Sequence, residues 1–346
     1  MTVFGFTPSP ELDKTKRNLG FLDQRFALAW VHDNVASFGG DPDKVTIWGE
    51  SAGGLSVQNL WVLPPEPLNF RGAIMQSKAF LAVGEGWDTL VSALGCSSAS
   101  SAIACVRSKP AMDIRSISVN RNLAFSPTVD HVTHVDHREN QIFWGRAARV
   151  PIFIGNIAKE FDSYITNANF RSAEDWINSN IADPFLGQVL ENIVNNVQNT
   201  VVNAESALRD LITQGYWTCI TDKITTLASL RGYKVFRYYF NATFPNTQQY
   251  IGEGPYHGSE IPSVFGTYRQ EKVTPQQVAL SRYIQTAWAS FAKAPAIGPG
   301  WPAAFSASDH VMNIGSGNSS NGTLVSPSVI NKLCDQLTLV DTIIGL

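Results

Sequence analysis

Gly49-Glu50-Ser51-Ala52-Gly53 sets a serine between two glycines, each two residues away. A hydroxyl held at the tip of so tight a turn could attack a carbonyl carbon, and a Cβ at either flanking glycine would be expected to clash. A serine hydroxyl is a poor nucleophile near neutral pH. The chemistry therefore needs a base within hydrogen-bond reach and an acid that holds that base in one tautomer.

When such a turn lies on an α/β sheet, the acid and then the histidine follow it along the chain, each on a loop after a strand. Glu160 fits the first role, since it follows the strand-like Val150-Pro151-Ile152-Phe153-Ile154 by a short Gly155-Asn156-Ile157-Ala158-Lys159 loop. Asp162 is the second candidate, and a solvated surface carboxylate is the competing reading. Of the six histidines, His32 precedes the serine, and His131, His134 and His137 precede the acid. His257, in Gly254-Pro255-Tyr256-His257-Gly258, follows a strand candidate and is favoured over His310, which lies close to a glycosylation-like loop. A structural loop histidine is the alternative. The run from His131 to His137 is not read as a metal site. Its valines and threonine favour extended backbone, in which residues three apart point to opposite faces.

The elements that must position these groups are legible as short apolar runs. Lys44-Val45-Thr46-Ile47-Trp48 reads as a strand entering the serine turn, and residues 52–63 as the helix leaving it. Residues 21–38 predict a helix, with Leu22, Phe26, Trp30 and Phe38 near helical spacing and Gly39-Gly40-Asp41-Pro42 ending it. Further strands are expected at 70–76, 150–154 and 233–241, and helices at 172–216 and 275–292. Four strands separated by helices describe an α/β sheet with helices on its faces. The polar region at about 78–149 reads as a cap or rim insertion, and residues 315–322, rich in Gly, Ser and Asn, as a surface loop.

The chain of 346 residues is 44% hydrophobic and 16% charged, enough to bury one large core, so a single domain over 1–346 is expected. A net charge of −3 without basic clusters argues against a nucleic-acid partner. No apolar run approaches the length of a membrane span, and the first residues lack the pattern of an export signal. Cysteine usage points the other way. Closing the short Ser/Ala-rich segment between Cys96 and Cys105 would add about 2.5–3 kcal/mol on the chain-entropy model and would suit an oxidising compartment; two unpaired thiols are the alternative. Cys219 and Cys334 read equally as a second pair or as two buried thiols. Acceptor triplets begin at Asn241, Asn318 and Asn321, compatible with secretion.

The chain resembles the type-B carboxylesterases, the family of cholinesterases and fungal triacylglycerol lipases, and looks most like the fungal members. The resemblance rests on Arg17-Asn18-Leu19-Gly20-Phe21-Leu22-Asp23-Gln24-Arg25, Phe38-Gly39-Gly40-Asp41-Pro42, Gly49-Glu50-Ser51-Ala52-Gly53-Gly54, Phe70-Arg71-Gly72-Ala73-Ile74, Val150-Pro151-Ile152-Phe153-Ile154-Gly155, His257-Gly258-Ser259-Glu260-Ile261 and Trp301-Pro302, in family order over nearly the whole chain. It implies an α/β-hydrolase fold, Ser51 as nucleophile, Glu160 as acid and His257 as base. It also implies an oxyanion donor at the N–H of Ala52, a Cys96–Cys105 disulfide, and cleavage of small-molecule or lipid esters without a cofactor. A secreted parent protein is implied as well.

Three departures stand out. Phe161 and Lys78 each occupy a position where the family carries glycine; Phe161 could crowd or redirect the acid's loop. The chain also looks like the C-terminal two thirds of such an esterase, without the outer strands and the His-Gly-Gly-Gly-type loop that supplies further oxyanion donors. Losing one such donor lowers kcat by about 10²–10³-fold, so the isolated chain is expected to be impaired. A non-catalytic binding protein on the same fold is the competing functional reading.

Overall fold

Six short runs become strands in the computed structural model, which describes residues 2–78, 86–162, 204–248, 253–305 and 310–334. They are Thr46–Glu50 (β1), Gly72–Gln76 (β2), Ile152–Ile157 (β3), Val235–Phe240 (β4), Val311–Ile314 (β5) and Gly322–Val325 (β6). They hydrogen-bond in sequence order, β1 to β5 parallel and β6 antiparallel to β5. Every residue of β2, β3, β4 and β5 is buried, as a mostly parallel sheet with both faces covered requires. This is the α/β-hydrolase fold: a central sheet flanked by helices.

The helices are Leu19–Asn34 (α1), Ala52–Val62 (α2), Gly86–Ala93 (α3), Ala102–Arg107 (α4), Ala111–Asn120 (α5), Arg138–Phe143 (α6), Ala204–Thr213 (α7), Cys219–Leu230 (α8), Ile261–Phe265 (α9), Pro275–Lys293 (α10) and Pro327–Ile330 (α11). A single π turn, Gln214–Thr218, joins α7 to α8.

Alternation along the strands divides the core in two, because successive side chains leave a strand on opposite faces. Ala73, Met75, Ile152, Ile154 and Val235 meet Trp61 of α2 and Ile220 and Ile224 of α8 on one face. Ile74, Phe153, Phe236, Tyr238 and Phe240 meet Leu280, Ile284, Trp288 and Phe291 of α10 on the other. Thr274 caps α10 by accepting the N–H of Gln277 at 3.1 Å, and Pro275 occupies its first turn, where a missing N–H removes no bond.

Several sequence expectations change. The sheet has six strands among the described residues rather than four: β5 is short and interrupted by Asn313, and β6 is mostly exposed, so neither reads as an apolar run. The stretch read as a loop at 315–322 is the turn of this hairpin, pinned where Gly315 N–H donates to the Asn321 carbonyl. The first helix begins earlier, at Leu19, and tightens to a 3-10 turn over Val35–Phe38. Its helical spacing is real, but Phe26, Trp30 and Phe38 are exposed; Gly20 and Phe21 are buried instead. Of the helix read at 172–216, residues 172–203 lie outside the described residues.

Residues 86–143 fold as α3 to α6. Trp87, Leu90, Val91, Cys96, Val106 and Ile114 build a small core of their own with Val3. Both cysteine pairs are bonded, Cys96 to Cys105 and Cys219 to Cys334. The second pairing resolves what spacing left open.

Candidate active site

Parallel strands put their C-terminal ends on one edge, and the loops leaving β1, β3 and β4 carry Ser51, Glu160 and His257 to that edge. Two of these loops are stitched together, with Lys159 and Tyr256 forming a parallel bridge and Lys159 N–H donating to the Pro255 carbonyl. The residues that directly follow the bridged pair on the two loops are Glu160 and His257.

His257 Nε2 lies 2.7 Å from Ser51 Oγ, and His257 Nδ1 lies 2.6 Å from Glu160 Oε2. With Nδ1 donating to the carboxylate, Nε2 is the ring atom left to accept the serine proton. Glu160 is fully buried, and its other oxygen accepts the Ile157 N–H at 2.7 Å. Both carboxylate oxygens are thereby fixed. Phe161 does not displace this loop: its ring is fully buried, and its N–H donates to Thr213 Oγ1 at 3.2 Å. Asp162 points elsewhere, 3.9 Å from Arg209.

The turn itself is strained and tight. Ser51 has φ 56 and ψ −120, a conformation uncommon for a residue with a side chain, and its N–H donates to the Gln76 carbonyl at 3.0 Å. Ser51 caps α2 without a side-chain bond, so Ala52 stands at the first position of a helix whose leading N–H groups have no intrahelical acceptor. The glycine requirement is one-sided, contrary to expectation. A Cβ on Gly49 would sit 2.3 Å from the Gly53 carbonyl, whereas one on Gly53 meets nothing within 4 Å. The second demanding position is Gly54, where a Cβ would lie 2.8 Å from the Gln76 carbonyl oxygen. Accordingly Gly53→Ala is expected to leave stability within about 0.5 kcal/mol, while Gly49→Ala should cost about 1–3 kcal/mol and impair any chemistry at Ser51. Urea unfolding of the two variants checks this.

Two further carboxylates approach the imidazole. Glu50 Oε1 is 3.3 Å from His257 Nε2, and Glu260 is fully buried with one oxygen accepting from Gln76 Nε2 at 2.7 Å. The Gln76 side chain is locked in turn, its amide oxygen Oε1 accepting from the indole N–H groups of Trp48 and of Trp288, the latter at 2.9 Å. Burial pushes Glu260 up to about 8, with Glu160 and Glu50 adding repulsion. Burial alone would lower His257, but the Glu160 carboxylate outweighs it, and Glu50 and Glu260 reinforce that field, so His257 is pushed up to about 9. Trp217, on the π turn and buried, packs its ring 5.7 Å from that of His257. Glu260 and Trp217 were not singled out from the sequence. Glu260 stood inside a quoted motif without a role, and nothing in a lone tryptophan on a helical stretch signals a π turn.

The other candidates are dispersed. His310 precedes β5, and its Nδ1 is buried without a hydrogen-bond partner, so it is not the imidazole at Ser51. His134 is buried with Nδ1 3.3 Å from Asn59 Oδ1, and His137 pairs with Glu139 at 3.3 Å. Among the described residues, no three of His, Cys, Asp and Glu converge as metal ligands. Asn318 and Asn321 are exposed, and Asn241, directly after β4, is half-buried. No helix among the described residues is long and apolar enough to cross a membrane.

The sequence is similar to esterases and lipases from several kingdoms. It is 29% identical to "Secreted lipase 5" of Gibberella zeae over 83% of this chain and 54% of that protein. It is 28% identical to "Carboxylesterase 1C" of Rattus norvegicus over 81% of this chain and 56% of the relative. With "Para-nitrobenzyl esterase" of Bacillus subtilis it shares 28% identity over 80% of this chain and 58% of the relative. The chain thus spans about half the length of the curated relatives it matches. The sequence model of the carboxylesterase family matches residues 1–329, and the chain belongs to that family.

Proposed function

We propose that the chain carries the acylating centre of a serine esterase acting on carboxylic esters of small molecules or lipids. The continuous hydrogen-bonded line from Ser51 through His257 to Glu160 is the observation that carries this reading. As the ester carbonyl is attacked by Ser51 Oγ, His257 Nε2 takes the hydroxyl proton, and the buried Glu160 carboxylate steadies the imidazolium. The Ala52 N–H, at the positive end of α2, faces charge that develops on the carbonyl oxygen. Collapse of the tetrahedral adduct breaks the ester bond, and His257 returns its proton to the leaving alkoxide. A water then repeats the sequence on the acyl-serine and frees the acid. No step calls for a cofactor.

The test is the time course of p-nitrophenyl ester cleavage. A burst approaching one equivalent of p-nitrophenol, followed by slower turnover, is expected if an acyl-enzyme accumulates. A linear course with no acyl adduct on intact-mass measurement contradicts the acylation step.

The pH profile has a defined sign. The base must be neutral to accept a proton, so kcat/KM rises as pH climbs through the His257 pKa, on the alkaline side of the ordinary imidazole value. Glu50→Gln removes a carboxylate 3.3 Å from Nε2 and should move that limb to lower pH. A limb that stays in place in Glu50→Gln contradicts this electrostatic account.

An extracellular or otherwise oxidising location is part of the proposal. It is supported by the two disulfides, which persist poorly in a reducing cytosol.

A further inference from the structure

Lys78 follows β2 where glycine was expected, and its side chain is buried, 6% exposed. It lines a cavity of about 30 Å3 together with Gln58 of α2, Arg138 and Glu139 of α6, and Lys223 of α8. Among the described residues, Lys78 and Arg138 thus meet the Glu139 carboxylate around a space that can hold one or two water-sized species, with Lys223, which has interactions of its own, at its edge. Neither Lys78 nor Arg138 has a side-chain hydrogen bond or ion pair among the described residues.

Such an arrangement is unfavourable as it stands. Burial first penalises the Lys78 ammonium, Arg138 and Lys223 repel it, and among the described residues Glu139 opposes them, which brings Lys78 down to about 7. Arg138 is likewise held below its ordinary value, by burial first. Buried like charges are tolerated when a counter-charge sits among them, and the donors present match an anion: an ammonium, a guanidinium and an amide.

We propose that this cavity binds one small monovalent inorganic anion, of chloride or bromide size, between Lys78 and Arg138 with Lys223 alongside. The site underlies the serine turn. A Cβ on Gly54 of α2 would come within 3.1 Å of Lys78 Cα, and the adjacent Ser77 N–H donates to Gly155 of β3. An anion there would tie α2, α6 and α8 to the end of β2, away from the reacting atoms.

The experiment replaces sodium gluconate with sodium bromide at constant ionic strength while unfolding is followed in urea. At a bromide concentration ten times its Kd, the unfolding equilibrium constant of the wild-type chain should fall about 11-fold and keep falling in proportion to further bromide, as binding linkage requires, whereas Lys78→Met should not respond. No response in the wild type, or the same response in both proteins, overturns the proposal. If Lys78→Met fails to fold, wild-type crystals soaked in bromide decide the matter. An anomalous peak inside the cavity beside Lys78 Nζ supports the site, and a cavity holding only water refutes it.

Discussion

Ester turnover by Ser51→Ala is expected to fall about 10³-fold or more relative to the unsubstituted chain, without loss of folding. Ser51 Oγ is the atom 2.7 Å from the imidazole, and alanine removes it while adding nothing to the turn. His257→Ala should cost about as much, since the hydroxyl then has no proton acceptor. The double variant should be no slower than either single one, because the groups act as a unit. Glu160→Gln tests the third member differently. An amide can accept the Nδ1–H, but it supplies no charge to the imidazolium and can donate to the ring, favouring the wrong tautomer. Equal rates for Ser51→Ala and the unsubstituted chain, measured on p-nitrophenyl esters, would remove the catalytic reading.

The largest expected effect on stability lies far from this line, at Cys219–Cys334. That bond spans 115 residues, against 9 for Cys96–Cys105. Loop-closure entropy grows with the length enclosed, giving about 5 kcal/mol for the longer loop and about 2.5 kcal/mol for the shorter. The longer bond also anchors a polar cluster. Arg237 Nη1 pairs with Asp222, Arg237 Nη2 donates to Asn331 Oδ1 at 2.8 Å, and Asn331 Nδ2 donates to Asp222 Oδ1 at 2.6 Å. Arg237 is 2% exposed, so freeing the C-terminal segment would leave a buried guanidinium with fewer partners. Urea unfolding of Cys219→Ser/Cys334→Ser and Cys96→Ser/Cys105→Ser should show the larger loss in the first pair. The reverse order would contradict the account.

Much of the sheet was legible because its strands are buried on both faces and read as unbroken apolar runs, as in Ile152-Phe153-Ile154. The hairpin of β5 and β6 was not, because Asn313 breaks one run and β6 faces solvent. Ser51 was legible because the strand-to-helix turn admits only glycine at 49, and Glu160 and His257 because chain order follows from parallel strands β1 to β4 that point one way. What sequence could not supply is what approaches those residues through space. Glu50 adjoins Ser51 and Glu260 lies three residues past His257, yet their common field at the imidazole exists only once β1 and the loop after β4 are adjacent. The side of the turn that needs its glycine was also hidden, since it depends on where the Gly49 hydrogens point and not on the spacing of the pair.

The central claim is that Ser51 is a nucleophile activated by His257, and covalent labelling tests it most directly. The chain is treated with a fluorophosphonate ester at the alkaline end of its pH range, and the adduct is mapped by peptide mass. A single adduct on Ser51, formed far more slowly in His257→Ala, is the predicted result. An unmodified Ser51, or labelling that is unchanged in His257→Ala, would contradict it.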